Sequence, residues 1–220
     1  MIETFTSETA LAEAAAAATA ERLRTALGER GRAALVATGG RSPGPVYDRL
    51  TGARLDWARV VVTLSDERCV GDDDPASNAR LVRERLLVGP AARAHLLPLW
   101  PEPDPAAIAA LRPFDAVLLG MGEDGHIASL IPGDPGLEAG LTEAGPTRPV
   151  PAGLGKPPLA RITLTLPALL DSRAIFVLIA GEAKRRVVER AMAGEDLPVG
   201  RLLSQARAPV RILWRPEQGE

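Results

Sequence analysis

One cysteine, Cys69, leaves the chain without a partner for an internal disulfide. The first residues lack the basic stretch followed by an apolar run that marks a secretory signal, so the expected compartment is the cytoplasm. Every apolar run is broken by Gly, Pro or charge within about ten residues, short of the ~20 that a membrane helix requires. Neither a membrane span nor a tether is expected. Charge of one sign is also missing: 26 basic and 28 acidic residues are interspersed, giving a formal net charge of −2. Such a balance offers no broad positive field to nucleic acid or to an anionic membrane, so any anion site must be local. Lysine is scarce, with Lys156 and Lys184 the only two among the 26 basic residues. Two histidines, His95 and His126, and one cysteine make no recognisable metal-ligand cluster, so no metal is expected.

What is present is 220 residues, 46% of them hydrophobic, enough for one substantial core and for a single α/β domain over 1–220. Residues Ser7 to Leu27, rich in Ala, predict a long helix capped by Thr6 or Ser7 and closed by Gly28 and Gly31. Ala33 to Thr38 predicts a buried strand that runs through Gly39-Gly40-Arg41-Ser42-Pro43 into a helix through Tyr47 and Leu50. Arg59 to Leu64 predicts a β-branched strand, followed by a polar loop and a helix from about Pro75 to Leu87. Pro98 to Pro105 reads as a connector. Further strands are expected at Phe114 to Leu119, Arg161 to Leu166, Ile175 to Ile179 and Val210 to Trp214, with a helix from Glu182 to Met192. Strands alternating with helices imply a three-layer αβα architecture around a mostly parallel open sheet. Ligands then bind where loops leave the carboxyl ends of the strands.

Three of those loops carry unusual residues. Gly39 to Pro43 leads into a helix, where free N–H groups can hold a phosphate, although a Gly-Gly turn alone is more often a plain tight turn. Gly40-Arg41-Ser42-Pro43-Gly44 also matches the G-x-S-x-G elbow of hydrolases. In that elbow the residue after the serine donates a backbone N–H to the oxyanion, and Pro43 has none. Ser42 is therefore read as a phosphate-binding hydroxyl. Ser65-Asp66-Glu67-Arg68-Cys69-Val70 sets two carboxylates beside an arginine, which suits either a buried ion pair or a bidentate phosphate clamp by Arg68. Cys69 reads as a buried, unreactive thiol.

Gly120-Met121-Gly122-Glu123-Asp124-Gly125-His126 contains the G-x-G-x-x-G of dinucleotide-binding proteins, but Pro132-Gly133 interrupt the helix that should follow it. The glycines instead let the backbone bend and expose Asp124 and His126. That setting suits His126 as a general base, with Asp124 fixing its tautomer or orientation. His95, before Leu96-Leu97, is read as structural. Lys184 lies near the start of the helix after the Ile175 strand, where a cation opposes the helix dipole unless an anion compensates. A phosphate contact is the expected reason for it.

Taken together, the loops resemble the 6-phosphogluconolactonases of the pentose phosphate pathway. The matching pieces are Gly39 to Pro43, Asp66 to Val70 with Ser77-Asn78, Gly120 to Gly133, Lys156-Pro157-Pro158 with Arg161 to Pro167, and Gly181 with Lys184, in family order across most of the chain. The resemblance implies a fold similar to glucosamine-6-phosphate deaminase, ribose-5-phosphate isomerase and the CoA transferases. The deaminases share the Gly-x-Gly-x-Asp-Gly-His loop. They typically carry Asp-Glu-Tyr where this chain has Asp66-Glu67-Arg68, and Phe-Asn-Glu-Pro-Gly where it has Ser129-Leu130-Ile131-Pro132-Gly133. The departures from the lactonase pattern are Arg41, where Ser or Thr is usual, Ile131 for the common Phe, and the tail after Trp214.

The resemblance implies hydrolysis of 6-phospho-D-glucono-1,5-lactone without a cofactor. Its phosphate would be held by Arg68, Lys184 and the Gly39, Gly40, Arg41, Ser42 loop, with Asp66 and Arg161 as further binding residues and His126 and Asp124 as the catalytic pair. The expected partner is the small sugar-phosphate lactone, with no nucleic acid or membrane, and the expected state is a monomer or homodimer. The rivals are a deaminase-type aldose-ketose enzyme and a non-catalytic sugar-phosphate sensor. Sensors of that kind usually carry a DNA-binding module, for which the stretch before Ser7 leaves no room.

Overall fold

In the computed structural model, which describes residues 2–217, the long amino-terminal helix α1 spans Glu8–Arg30. The Ser7 hydroxyl accepts from the Ala10 N–H at 3.1 Å, and Gly31, at φ 68°, closes the helix by donating to the Leu27 carbonyl. Gly28 does not end it. An exposed glycine inside a helix costs about 1 kcal/mol relative to alanine, which the buried face through Leu11, Ala15 and Leu23 offsets.

The main sheet has seven strands, all parallel: β1 (Ile2–Thr4), β2 (Ala33–Ala37), β3 (Val60–Leu64), β5 (His95–Leu96), β6 (Ala116–Gly120), β9 (Ile175–Ala180) and β10 (Val210–Arg215). Their spatial order is β1-β10-β9-β6-β2-β3-β5. All five residues of β2 are buried, as befits a central strand covered on both faces. The other α-helices are α2 (Gly44–Leu50), α3 (Asn78–Arg85), α4 (Pro105–Ala110), α5 (Leu137–Thr142), α6 (Leu166–Leu170), α7 (Glu182–Met192) and α8 (Pro198–Leu203). Trp57, Tyr47, Phe114 and Phe176 are the largest fully buried side chains.

A second, antiparallel sheet departs from the sequence expectation. It orders β4 (Asp66–Arg68), β8 (Arg161–Leu164) and β7 (Thr147–Val150). The Asp66–Arg68 stretch, expected as loop, is strand because β8 pairs with it, and the strand expected over Arg161 to Leu166 ends at Leu164. The helix expected from Pro75 starts at Asn78, where the Ser77 hydroxyl accepts from the Arg80 N–H at 3.1 Å.

Strand order fixes where a ligand can enter. From β2 the chain steps outward through β3 to β5, then returns to the other side of β2 with β6 and continues to β9 and β10. The loops leaving β2 and β6 therefore part in opposite directions and open a crevice at the carboxyl edge.

Candidate active site

That crevice is a cavity of about 660 Å³ lined by all three sequence-predicted loops. The root of the first loop is clamped by Tyr47, whose buried hydroxyl accepts from the Thr38 N–H at 2.8 Å and donates to the Thr38 carbonyl at 2.7 Å. Burial pushes the Tyr47 phenol well above its ordinary pKa, so it stays a neutral donor. Gly39, Gly40, Arg41 and Ser42 follow along the cavity wall. A Cβ on Gly39 would run into the Asn78 side chain, so only glycine lets this loop lie against α3. Among the described residues no hydrogen bond joins Ser42 to His126, and the helix after Ser42 is only seven residues long.

The second loop is built around its acids. Glu67 is 3% exposed, and its carboxylate accepts from the backbone N–H groups of Arg68 and Asn78, both at 2.7 Å, and Ala79 at 2.6 Å, and from the Ser77 hydroxyl at 3.1 Å. It caps the start of α3, where backbone donors are otherwise unsatisfied. Asp66 is also spent internally. Its Oδ1 accepts from Ser65 at 2.9 Å, and its Oδ2 accepts from Ser129 at 2.6 Å and lies 3.8 Å from Arg161 Nη1. Asp66 lines the cavity as a brace of its wall rather than as a free ligand.

Arg68 and Arg161 stand directly opposite each other in the β4–β8 ladder. Arg68 Nη1 donates to the Ala76 carbonyl at 2.6 Å, and Arg161 donates to the Pro157 carbonyl at 2.8 Å and to Ser129 at 3.3 Å. The Nε of each is buried without a partner. Burial lowers the Arg161 pKa; Asp66 opposes this and the Arg68 charge adds to it. Like charges set opposite across a ladder destabilise it, and an anion in the cavity would relieve that cost.

The third loop follows β6. Gly122 N–H donates to the His126 carbonyl at 2.9 Å, Gly125 N–H donates to the Gly122 carbonyl at 3.1 Å, and Val199 N–H of α8 donates to the Gly125 carbonyl at 3.0 Å. No helix follows directly, since α5 begins only at Leu137, so the glycine pattern serves a closed turn and not a dinucleotide fold. The turn brings His126 Nδ1 to 2.5 Å from Asp124 Oδ1. A carboxylate can only accept, so Nδ1 carries the proton and Nε2 is left as the basic nitrogen. Partial burial pushes the Asp124 carboxyl up, but the hydrogen bond and charge of His126 outweigh it and hold the group below the usual carboxylate range.

Lys184, in the first turn of α7, lines the same cavity. Burial pulls its ammonium below the ordinary lysine value. Glu123, Glu217 and Asp124 oppose the shift, and the Arg41 charge adds to it. Sequence reasoning did not assign Lys156, Asn78 or Glu123 to the site, yet all three line it. Lysine scarcity, already telling for Lys184, was equally a signal for Lys156. Glu217, in the tail that the sequence marks as a departure, does not line the cavity but lies against Gly181, where its charge acts on Lys184. His95 pairs with Val61 at the sheet edge, away from the cavity.

Sheet order, layers and crevice define the class: an open, mostly parallel αβα protein whose carboxyl edge gathers a His–Asp pair among cationic side chains. Within that class the chain belongs to the family described as glucosamine-6-phosphate isomerases/6-phosphogluconolactonase, whose model matches residues 6–214. It is 42% identical over 224 residues to the 6-phosphogluconolactonase of Caulobacter vibrioides, covering 97% of this chain and 96% of that one. The crystal structure of a 6-phosphogluconolactonase from Shewanella baltica superposes with a TM-score of 0.91 at 36% identity, covering 98% and 97% of the two chains. A monomeric glucosamine-6-phosphate deaminase, at 22% identity, shares the fold with a TM-score of 0.78 and coverage of 97% and 96%. The chain is thus one of a family of enzymes.

Proposed function

We propose that this protein is a carboxylic ester hydrolase that opens 6-phospho-D-glucono-1,5-lactone to 6-phospho-D-gluconate. The observation that carries the reading is a basic imidazole nitrogen, fixed by Asp124, in the same cavity as Arg68, Arg161, Arg41 and Lys184. The cations hold the phosphate, assisted by the Gly39 to Ser42 loop, and this sets the lactone carbonyl C1 beside His126. As water attacks C1, His126 Nε2 takes its proton, and the Asp124 carboxylate stabilises the imidazolium that forms. The tetrahedral centre then collapses, the bond from C1 to the ring oxygen breaks, and the imidazolium returns the proton to that oxygen. Backbone N–H groups of the glycine-rich loops are the candidate donors to the C1 oxyanion. A lactone is an activated ester, so positioning and one general base provide sufficient acceleration without a cofactor.

The deaminase reading lacks its acid. At the position where the resemblance places a glutamate in the deaminases, Ile131 is 2% exposed and packs near Arg161 beside Gly155. The test is to measure lactone hydrolysis by purified protein, corrected for spontaneous ring opening, alongside ammonia release from glucosamine 6-phosphate. Hydrolysis above background without ammonia supports the reading. Ammonia release identifies a deaminase, and phosphosugar binding with neither product identifies a sensor.

A further inference from the structure

A second cavity, of about 500 Å³, lies at the opposite edge of the main sheet. It opens between the last turns of α1 and the segments that feed the amino ends of β6, β9 and β10, where Pro113, Ser172 and Pro209 form its floor. The reaction pocket lies beyond the other ends of these strands, so the two cavities are separated by roughly 15 Å of sheet. Its size falls within the range of small-molecule sites.

Four arginines line it: Arg22, Arg30, Arg173 and Arg207. Arg30 and Arg173 share a single buried oxygen, Asp115 Oδ1, at 2.5 and 3.3 Å, while Asp115 Oδ2 accepts from the Ala34 N–H at 2.9 Å. Glu29 takes the other side of Arg30 at 2.7 Å, and Asp171 lies 3.7 Å from Arg112. Among the described residues Arg22 and Arg207 form no ion pair. A further observation concerns Ser172 in the wall of the same cavity. Ser172 is only 8% exposed, and its hydroxyl has no hydrogen-bond partner. Buried hydroxyls are normally paired, and the four arginines outnumber Glu29 and Asp171, the two carboxylates that line the cavity with them.

We propose that this cavity is a second ligand site, which binds a small phosphate ester carrying at least two negative charges. Arg22 and Arg207 supply guanidinium forks that match phosphate oxygens, Arg30 and Arg173 turn part of their donor set from Asp115 toward the ligand, and the Ser172 hydroxyl donates to it. The site is separate from the reaction pocket and stands whether or not the lactone is the substrate.

Titrating isotopically labelled full-length protein with inorganic phosphate at pH 8, with ionic strength held constant by sodium chloride, tests this by amide NMR. Two saturating sets of shifts are expected, one at Gly40, Gly125 and His126 and one at Ser172 and Arg173, with different midpoints. Arg22 and Arg207 are exposed, so the double variant R22S/R207S should fold normally and retain basal turnover. It should weaken the Ser172 and Arg173 response at least tenfold and leave the other set unchanged. Shifts confined to Gly40, Gly125 and His126, a response at Ser172 that never saturates, or one that survives the double substitution would each overturn the proposal.

Discussion

The His126 ring occupies the space that a side chain on Gly122 would fill, with the Asp124 carboxylate pressed against the same point. The His126–Asp124 pair is thus packed onto the bare backbone of its own turn. In Gly122→Ala the obstructing atoms are side-chain ends, which can move without disturbing the sheet. The melting temperature should fall by no more than about 2 °C, whereas displacing the imidazole by about 1 Å should lower kcat/KM about a hundredfold. Steady-state lactone hydrolysis beside a thermal melt separates the two effects.

His126→Ala should remove the general base, reducing kcat by about 10² to 10⁴ while leaving phosphosugar affinity close to that of the parent protein. Asp124→Asn should lower kcat by about tenfold or more, because an amide does not fix the Nδ1–H tautomer as a carboxylate does. Isothermal titration with 6-phosphogluconate beside the kinetic assay is the check. Loss of affinity with retained turnover would reverse the assigned role of His126.

The depressed pKa of Asp124 also predicts a stability profile. Its folded value lies below its unfolded value of about 3.9, so the wild-type contribution is present above that pH and is lost as pH falls through the folded value. Urea midpoints of wild type and Asp124→Asn should therefore differ between pH 5 and 7 and converge as the pH falls through the lowered folded value of Asp124.

Lys184 has the opposite balance, because burial disfavours its charged form in the folded protein. Lys184→Met should raise the urea midpoint at pH 7, and this advantage should fade as pH rises through the unfolded lysine value near 10.4, where both states of the parent are neutral. The same variant should raise KM about tenfold with a smaller change in kcat, since a phosphate contact acts on ground state and transition state alike. An unchanged KM would remove Lys184 from the phosphate site.

Glu67→Ala should destabilise the protein by about 3 kcal/mol, since it leaves three backbone N–H groups and the Ser77 hydroxyl without their buried acceptor. For a chain of this size that corresponds to a loss of roughly 6 to 12 °C in melting temperature, measurable by calorimetry.

Much of this arrangement was legible before any coordinate. The helix expected over Glu182 to Met192 is α7, and the strands at Ala33, Ile175 and Val210 begin where the sequence places them. Gly122, Asp124 and His126 could be assigned to a strand-exit turn because glycines after an apolar run are a local signal. Gly28 misled as a stop signal, because packing of the rest of α1 outweighs one unfavourable residue. Asp66-Glu67-Arg68 misled in the other direction. Its polarity suggests loop, yet Glu67 is a cap, Asp66 a brace and all three residues form strand.

By itself, then, the sequence determined the alternation of strands and helices, the two glycine-rich turns after β2 and β6 and the residue types they display, because propensity, capping and glycine freedom act within a few residues of chain. Only the tertiary structure decided that Arg68 faces Arg161 in a second sheet, that Glu217 returns to the neighbourhood of Lys184, and that Arg22, Ser172 and Arg207 line one cavity. These juxtapositions join segments far apart in the chain, and they arise from strand order and pairing that no local window of residues encodes.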